Sequence, residues 1–190
     1  MLLKLYTSII KLSEKKFAPI VLSLVALVES IFFPIPPDIL LIPMSLAQRN
    51  RAFFFAGLVT VFSVIGGAIG YLLGSVFWME IGKPLTNVLG YTETYSAFEL
   101  LYMEYGVLIV IIGAFTPFPF KVIAIMSGVM NFSFLNFLIA ALLARGIRFY
   151  IIAGIIFFWG HEIDKFIKNY LGVLFLGCTI IFAGVYLIFQ

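Results

Sequence analysis

The chain has little of what soluble chemistry draws on. Its 190 residues include one cysteine, Cys178, and one histidine, His161. A lone cysteine excludes an internal disulfide, and inside an apolar run it reads as a small packing residue. One His and one Cys make no usual set of metal ligands, so neither a metal nor a cofactor is expected, and His161 in its charged stretch reads as solvated. No phosphate-cradling G-x-x-x-x-G-K-[ST] loop and no dinucleotide glycine fingerprint occurs. Charge is scarce as well: Asp, Glu, Lys and Arg are 11% of the residues, against about a quarter in a soluble domain. That is too little polar surface to cover a water-soluble globule. The cations sit at segment ends or inside apolar segments, with no basic patch among exposed aromatics, so the formal charge of +3 does not point to nucleic acid.

What the chain does have is grease. Hydrophobic residues make up 63% of it and the mean hydropathy is +1.16. It reads as an all-α polytopic membrane protein forming a single membrane domain. Three runs, 53–77, 136–158 and 169–189, match the roughly 20 residues that cross a hydrocarbon core of about 30 Å. Residues 1–16 lack the order of a cleavable leader and read as an amphipathic interfacial helix, with Leu, Ile and Tyr opposing Lys. Gly66, Gly70 and Gly74, four apart, mark a face for close helix packing.

Two apolar stretches are interrupted. "VESIFFPIPPDILLIPMSLA" (28–47) and "GAFTPFPFKVIAIMSG" (113–128) carry Pro34, Pro36, Pro37 and Pro117, Pro119 in their middles. Proline removes a backbone donor and restricts its predecessor, so no continuous helix passes through. The pieces after the breaks are too short to span. Non-helical backbone at membrane depth survives only inside protein or beside a polar cavity. Each stretch therefore predicts a re-entrant helical hairpin, with a kinked single span as the alternative.

The two stretches align. With 34–45 set over 117–128, two prolines coincide and Asp38 falls on Lys121. Each stretch leads into a long apolar helix, so 17–77 and 105–158 form a repeat of hairpin plus transmembrane helix. Residues 78–104 are expected as an external loop with a short interfacial helix, residues 159–168 as a cytoplasmic loop, and 169–189 as an extra C-terminal transmembrane helix. Cations at Lys4, Lys11, Lys15, Lys16, Arg49 and Arg51 place the N-terminus and the ends of the first hairpin in the cytoplasm. Glu80, Glu93, Glu99 and Glu104 against Lys83 place 78–104 outside. The repeats are thus inverted, an architecture of secondary transporters.

Five ionisable residues fall within apolar segments: Glu29, Asp38, Lys121, Arg145 and Arg148. Each costs about 2.5–3.5 kcal/mol on insertion scales when it faces lipid at the bilayer centre. They are expected to share one polar cavity. Glu29 closes the first half-helix. Asp38 opens the second, where an acid also serves as a cap. Lys121 holds the matching place in the second stretch, where a cation opposes the dipole of its own helix. Arg145 and Arg148, three apart, share a helix face, and pairing with the two acids is the plain structural alternative for them. Two acids against three bases leave one positive charge, which with helix N-termini favours an anion such as a phosphate. Glu29 is the favoured proton-exchanging acid, since Asp38 gains more from its helix start.

The first motif, the glycine-bearing helix after it, the "FTPFPFK" break and the "RGIR" pair (145–148) resemble the DedA membrane-protein family, also called VTT-domain or SNARE-associated proteins. Within it, the E-x-x-x-x-P-x-P-P-D-x-L-x-I-P pattern is similar to the small YqaA-type branch. The resemblance spans roughly residues 17–158. It implies two facing re-entrant hairpins, family acids at Glu29 and Asp38, family bases at Arg145 and Arg148, and translocation of a phospholipid or polyprenyl phosphate coupled to protons. Lys121 stands where better-known members tend to carry arginine. The expected function is a flippase or scramblase in a bacterial inner membrane, not an enzyme, with lipid and protons as partners and room for a homo-oligomer. A transporter of a small soluble ion and a non-transporting biogenesis factor remain the alternatives.

Overall fold

Among the described residues helix fills the apolar stretches, continuing even through Pro43, and stops on either side of the two breaks. The computed structural model describes residues 15, 17–32, 35–89, 92–116 and 118–188, with the side chains at 87, 89, 92, 94 and 164–188 outside that description. Among these residues there are seven α-helices and no strand: α1 (Ala18–Ile31), α2 (Asp38–Ala47), α3 (Ala52–Phe77), α4 (Lys83–Leu89), α5 (Thr92–Phe115), α6 (Phe120–Val129) and α7 (Phe134–Ile188). Three stretches are long and apolar enough to cross a membrane: Arg49–Thr86, Tyr95–Phe115 and Phe134–Ile163. The expected helix at 1–16 lies outside the described residues apart from residue 15, as do Pro34, Pro117 and the side chains of the expected 169–189 span.

The breaks are built from the prolines outward. Pro19 starts α1 at a position whose missing N–H no helix would use. Phe32 N–H still bonds the Val28 carbonyl, and the path then leaves the helix. Pro37 is the N-cap of α2, and the Pro37 carbonyl accepts from the Leu41 N–H at 2.9 Å. Pro119, extended at ψ 106°, is the N-cap of α6. The far end of α6 closes on Asn131 at φ 51°, a left-handed position that asparagine tolerates, and Phe132 N–H returns to the Ser127 carbonyl.

Side-chain neighbours give the helix directions. Ser30 meets Ser63 while Pro19 and Phe54 border one groove, so α1 and α3 run parallel. Ser63 meets Arg145 and Tyr71 meets Phe134, so α7 runs against α3. Asp38 meets Arg148 and Arg49 meets Gly160, so α2 follows α7 and opposes α1. Gly113 faces Ile123 and Tyr95 reaches the Val129 carbonyl, so α6 folds back along α5. Along one axis α1, α3 and α6 run one way; α2, α5 and α7 run the other.

Three boundaries differ from the sequence reading. Residues 92–104 are helix, because α5 starts at Thr92 rather than at 105. Glu93 sits in the first turn, where a negative charge suits the helix dipole, Glu104 faces outward, and the half-buried Glu99 lies beside Tyr95 on the inner side. Tyr95, Tyr102, Gly106 and Val110 make the inner stripe at helical spacing. Residues 78–89 are helical too, as a π-turn (Trp78–Gly82) followed by α4. The expected loop at 159–168 is helix that continues past a kink at Trp159 (φ −117°, ψ 19°).

The packing depends on backbone meeting backbone. α3 lies at the centre, against α1, α2, α6 and α7. A Cβ on Gly66, Gly74 or Gly128 would fall on the carbonyl oxygen of Leu27, Ile125 or Tyr71 respectively. These carbonyls cannot swing away without breaking their own helices, so the three positions admit only hydrogen. Gly154, by contrast, has nothing within 4 Å of where a Cβ would stand. Gly74→Ala and Gly128→Ala are each expected to destabilise the protein by about 1–3 kcal/mol or more through overpacking. Gly154→Ala is expected to leave stability unchanged or raise it slightly, and thermal unfolding in detergent checks all three.

Candidate ion-pair site between the breaks

The ionisable residues placed by sequence in apolar segments meet where the two breaks meet. Arg145 Nη2 donates to Glu29 Oε2 at 3.0 Å, and Arg148 Nη2 donates to Asp38 Oδ2 at 2.5 Å. Both pairs join α7 to the first break unit. Three residues on α7 is close to one turn, so the two guanidinium groups stack along one face and reach Glu29 before the break and Asp38 after it.

The deeper pair is enclosed. Arg145 is 2% exposed and its Nε donates to Ser63 Oγ at 2.8 Å. Ser63 and Ser30 hydroxyls lie 2.8 Å apart, and Ser30 Oγ reaches the Ala26 carbonyl at 3.0 Å and Glu29 Oε2 at 3.2 Å. With Ser63 donating to Ser30 and Ser30 donating to Glu29, the hydrogen bonds form a closed ring from Arg145 through two serines to Glu29 and back. The guanidinium also lies over the rings of Phe120 and Phe149, at 4.7 and 4.9 Å from their centroids. Aromatic faces and a carboxylate together replace the water this charge has lost.

The outer pair is different. The side chains of Arg148 and Asp38 are 21% and 18% exposed, against 3% and 12% for Arg145 and Glu29. Arg148 Nη1 also donates to the Thr116 carbonyl at 3.2 Å. One guanidinium thus ties the carboxylate that opens α2 to a carbonyl freed by the second break. Asp38 Oδ1 is buried and accepts no hydrogen bond among the described residues.

Lys121 reaches the first break from the second unit. Its Nζ donates to the Phe32 carbonyl at 3.3 Å, across the contact between the two break units. That contact answers the mismatch noted in the sequence. A cation in the first turn of α6 opposes the dipole of α6, yet this ammonium lies at the C-terminal end of α1, where the dipole favours it. The two breaks are therefore served alike: Lys121 covers a carbonyl of the first and Arg148 a carbonyl of the second.

Sequence reasoning missed Ser30, Ser63, Phe120 and Phe149. Ser30 and Ser63 carried a usable signal, since small hydroxyl side chains on apolar helices mark polar contacts between them. Ser45, fully buried in α2 and without a hydrogen-bond partner among the described residues, carried the same signal and lies off the site. No group of three or more His, Cys, Asp and Glu able to hold a metal occurs among the described residues.

Two proteins resemble the chain over most of its length. An uncharacterized protein of Haemophilus influenzae is 38% identical over 160 residues, 83% of this chain and 81% of that protein. An uncharacterized protein of Histophilus somni is 32% identical over 186 residues, 98% of this chain and 97% of that one. No family model and no solved structure matches the chain.

Removing one member of the enclosed pair leaves a buried charge alone. Arg145→Leu is expected to destabilise the fold by about 3–5 kcal/mol, and the double substitution Glu29→Leu/Arg145→Leu by clearly less. A double-mutant cycle on thermal unfolding in detergent checks this; additive effects would show that the pair is not coupled.

Proposed function

The chain belongs to the same family as the Haemophilus influenzae and Histophilus somni proteins, and we propose that it is a flippase or scramblase carrying a phosphate-bearing lipid, coupled to protons. The carrying observation is the outer pair, in which Arg148 bridges Asp38 of one break and the Thr116 carbonyl of the other. A charged, partly accessible guanidinium at the meeting point of two broken helices suits a phosphate, which it can grip through two parallel hydrogen bonds.

Charge balance supplies the coupling. In the closed pair Asp38 already neutralises Arg148, so an incoming phosphate has to replace that carboxylate. A proton taken up on Asp38, at the oxygen left without a partner, releases Arg148 to the phosphate and keeps the site neutral. Deprotonation on the other side re-forms the pair and expels the lipid. Asp38 is thus the acid that exchanges directly with substrate, while Glu29 governs whether Arg145 joins it. Lys121 adds the fifth charge and the net positive balance. No enzymatic step belongs to this reading.

The helix directions support an inverted pair of re-entrant hairpins. In α1–α2–α3 and again in α5–α6–α7, a long arm and the following long helix run parallel with a short helix returning between them. The first long arm packs on α3 and the second on α7, whereas each short helix also packs on the other unit's long helix. The resemblance to DedA proteins supports the same arrangement and the lipid substrate. Lys15, Arg49 and Arg51 at one end support, by the positive-inside rule, a cytoplasmic position for that end and the N-terminus, in keeping with a bacterial inner membrane.

One observation favours a second reading. Both acid–arginine pairs are closed, which also suits a non-transporting assembly factor whose charges only hold the breaks together. Transbilayer movement of labelled polyprenyl phosphate and of phosphatidylethanolamine in proteoliposomes separates the two. Transport is expected to need the protein, to respond to a pH gradient, to lose that response in Glu29→Gln and Asp38→Asn, and to vanish in Arg148→Ala. Full-rate transport in Arg148→Ala would remove the phosphate-binding role, and movement of neither lipid by folded protein would favour the assembly reading.

A further inference from the structure

We propose a second, resident lipid site at the basic end of the bundle, fitted to one glycerophospholipid with an anionic head group. It lies away from the paired charges and does not depend on lipid translocation. The turn between α2 and α3 borders an open depression of about 360 Å³, lined by Gln48, Arg49, Asn50 and Arg51. Beside it, an apolar groove of about 300 Å³ runs between α1 and α3, lined by Pro19, Ser23, Leu24, Phe54, Leu58 and Phe62. Arg51 joins the two, since its guanidinium lies 5.5 Å from the centroid of Phe54, a groove residue that is 51% exposed.

The chemistry selects the occupant. Among the described residues neither Arg49 nor Arg51 pairs with a carboxylate; the Arg51 guanidinium donates to Gln48 Oε1 at 3.3 Å. Arg49 rests against Gly160, where α7 kinks. Two cations beside two amide side chains ask for an anion with several acceptor oxygens, as a phosphate diester offers. The groove asks for a chain of methylenes: from Phe54 to Phe62 α3 rises about 12 Å, all of it apolar on this face. A lipid of the surrounding leaflet supplies both at the required spacing, with its phosphate level with the helix start and its acyl chain running down α3. A soluble anion would leave the groove uncovered, and a second protein copy would bring apolar surface to the cations.

The test uses the full-length protein in mild detergent, titrated with phosphatidylglycerol or phosphatidylcholine of identical acyl chains and read by native mass spectrometry. Phosphatidylglycerol is expected to saturate at about tenfold lower concentration, as two juxtamembrane cations warrant. Arg49→Gln/Arg51→Gln should bring it to the level of phosphatidylcholine. Leu24→Trp, which fills the groove and keeps the cations, should weaken both lipids, whereas Lys83→Gln at the opposite end should change neither. Equal binding of the two lipids by the wild type would overturn the site without recourse to any variant. So would phosphatidylglycerol binding that survives the double substitution or Leu24→Trp, its displacement by equimolar glycerol phosphate, or a lipid-free dimer that Leu24→Trp dissolves.

Discussion

Backbone groups freed by proline inside an apolar chain have to be satisfied by something, and this constraint organises the molecule. A helix that stops midway leaves carbonyls that would otherwise accept from the next turn, and lipid offers them no donor. Here cations of the second unit supply the donors to both breaks. Lys121 of the second unit serves Phe32 at the first break, and Arg148 serves Thr116 at the second. Asp38 then stabilises Arg148 and caps its own helix by charge. The charges are there because the breaks are there, and the breaks are tolerable because the charges are there.

From that constraint the rest follows by packing. Bringing Lys121 to Phe32 requires α6 to lie close to α1 and α3, and α3 permits it only because Gly67, Gly70 and Gly74 present no side chain to α6. The far end of α6 is held as firmly. Tyr95, Tyr102 and Tyr71 donate to or share hydrogen bonds with Val129, Ser127 and Phe132, and Trp78 stacks on Tyr95 at 3.9 Å between centroids. The corresponding end of α2 has the basic turn Arg49–Arg51 instead. The two short helices differ in their restraints although their breaks are served alike.

Much of this was legible in the sequence, for reasons that particular residues show. The prolines name the breaks because a ring that removes a donor acts locally, whatever surrounds it. The five ionisable residues could be singled out because their cost in lipid is large and independent of partner. Which acid meets which arginine was not legible: it depends on the directions of α1, α2 and α7, and residues more than a hundred positions apart leave no mark of pairing in one sequence. Glu93, Glu99 and Glu104 misled the reading of 92–104 because acids suggest a loop only when no inner stripe accompanies them, and there Tyr95, Tyr102, Gly106 and Val110 supply one. Lys121 looked misplaced by its own helix because the dipole it serves belongs to another.

The ion pairs also set an order in time. Glu29 lies 116 residues before Arg145 and Asp38 lies 110 before Arg148, so a ribosome delivers both acids long before either base exists. During that interval the first unit carries two carboxylates without the arginines that neutralise them, and an opened backbone without the cations that serve it. It cannot settle in hydrocarbon as it stands. It has to wait at the aqueous boundary, inside the insertion machinery, or with its acids protonated, until α7 arrives. The final form of the first unit is therefore decided late, by the last of the charged helices to be made.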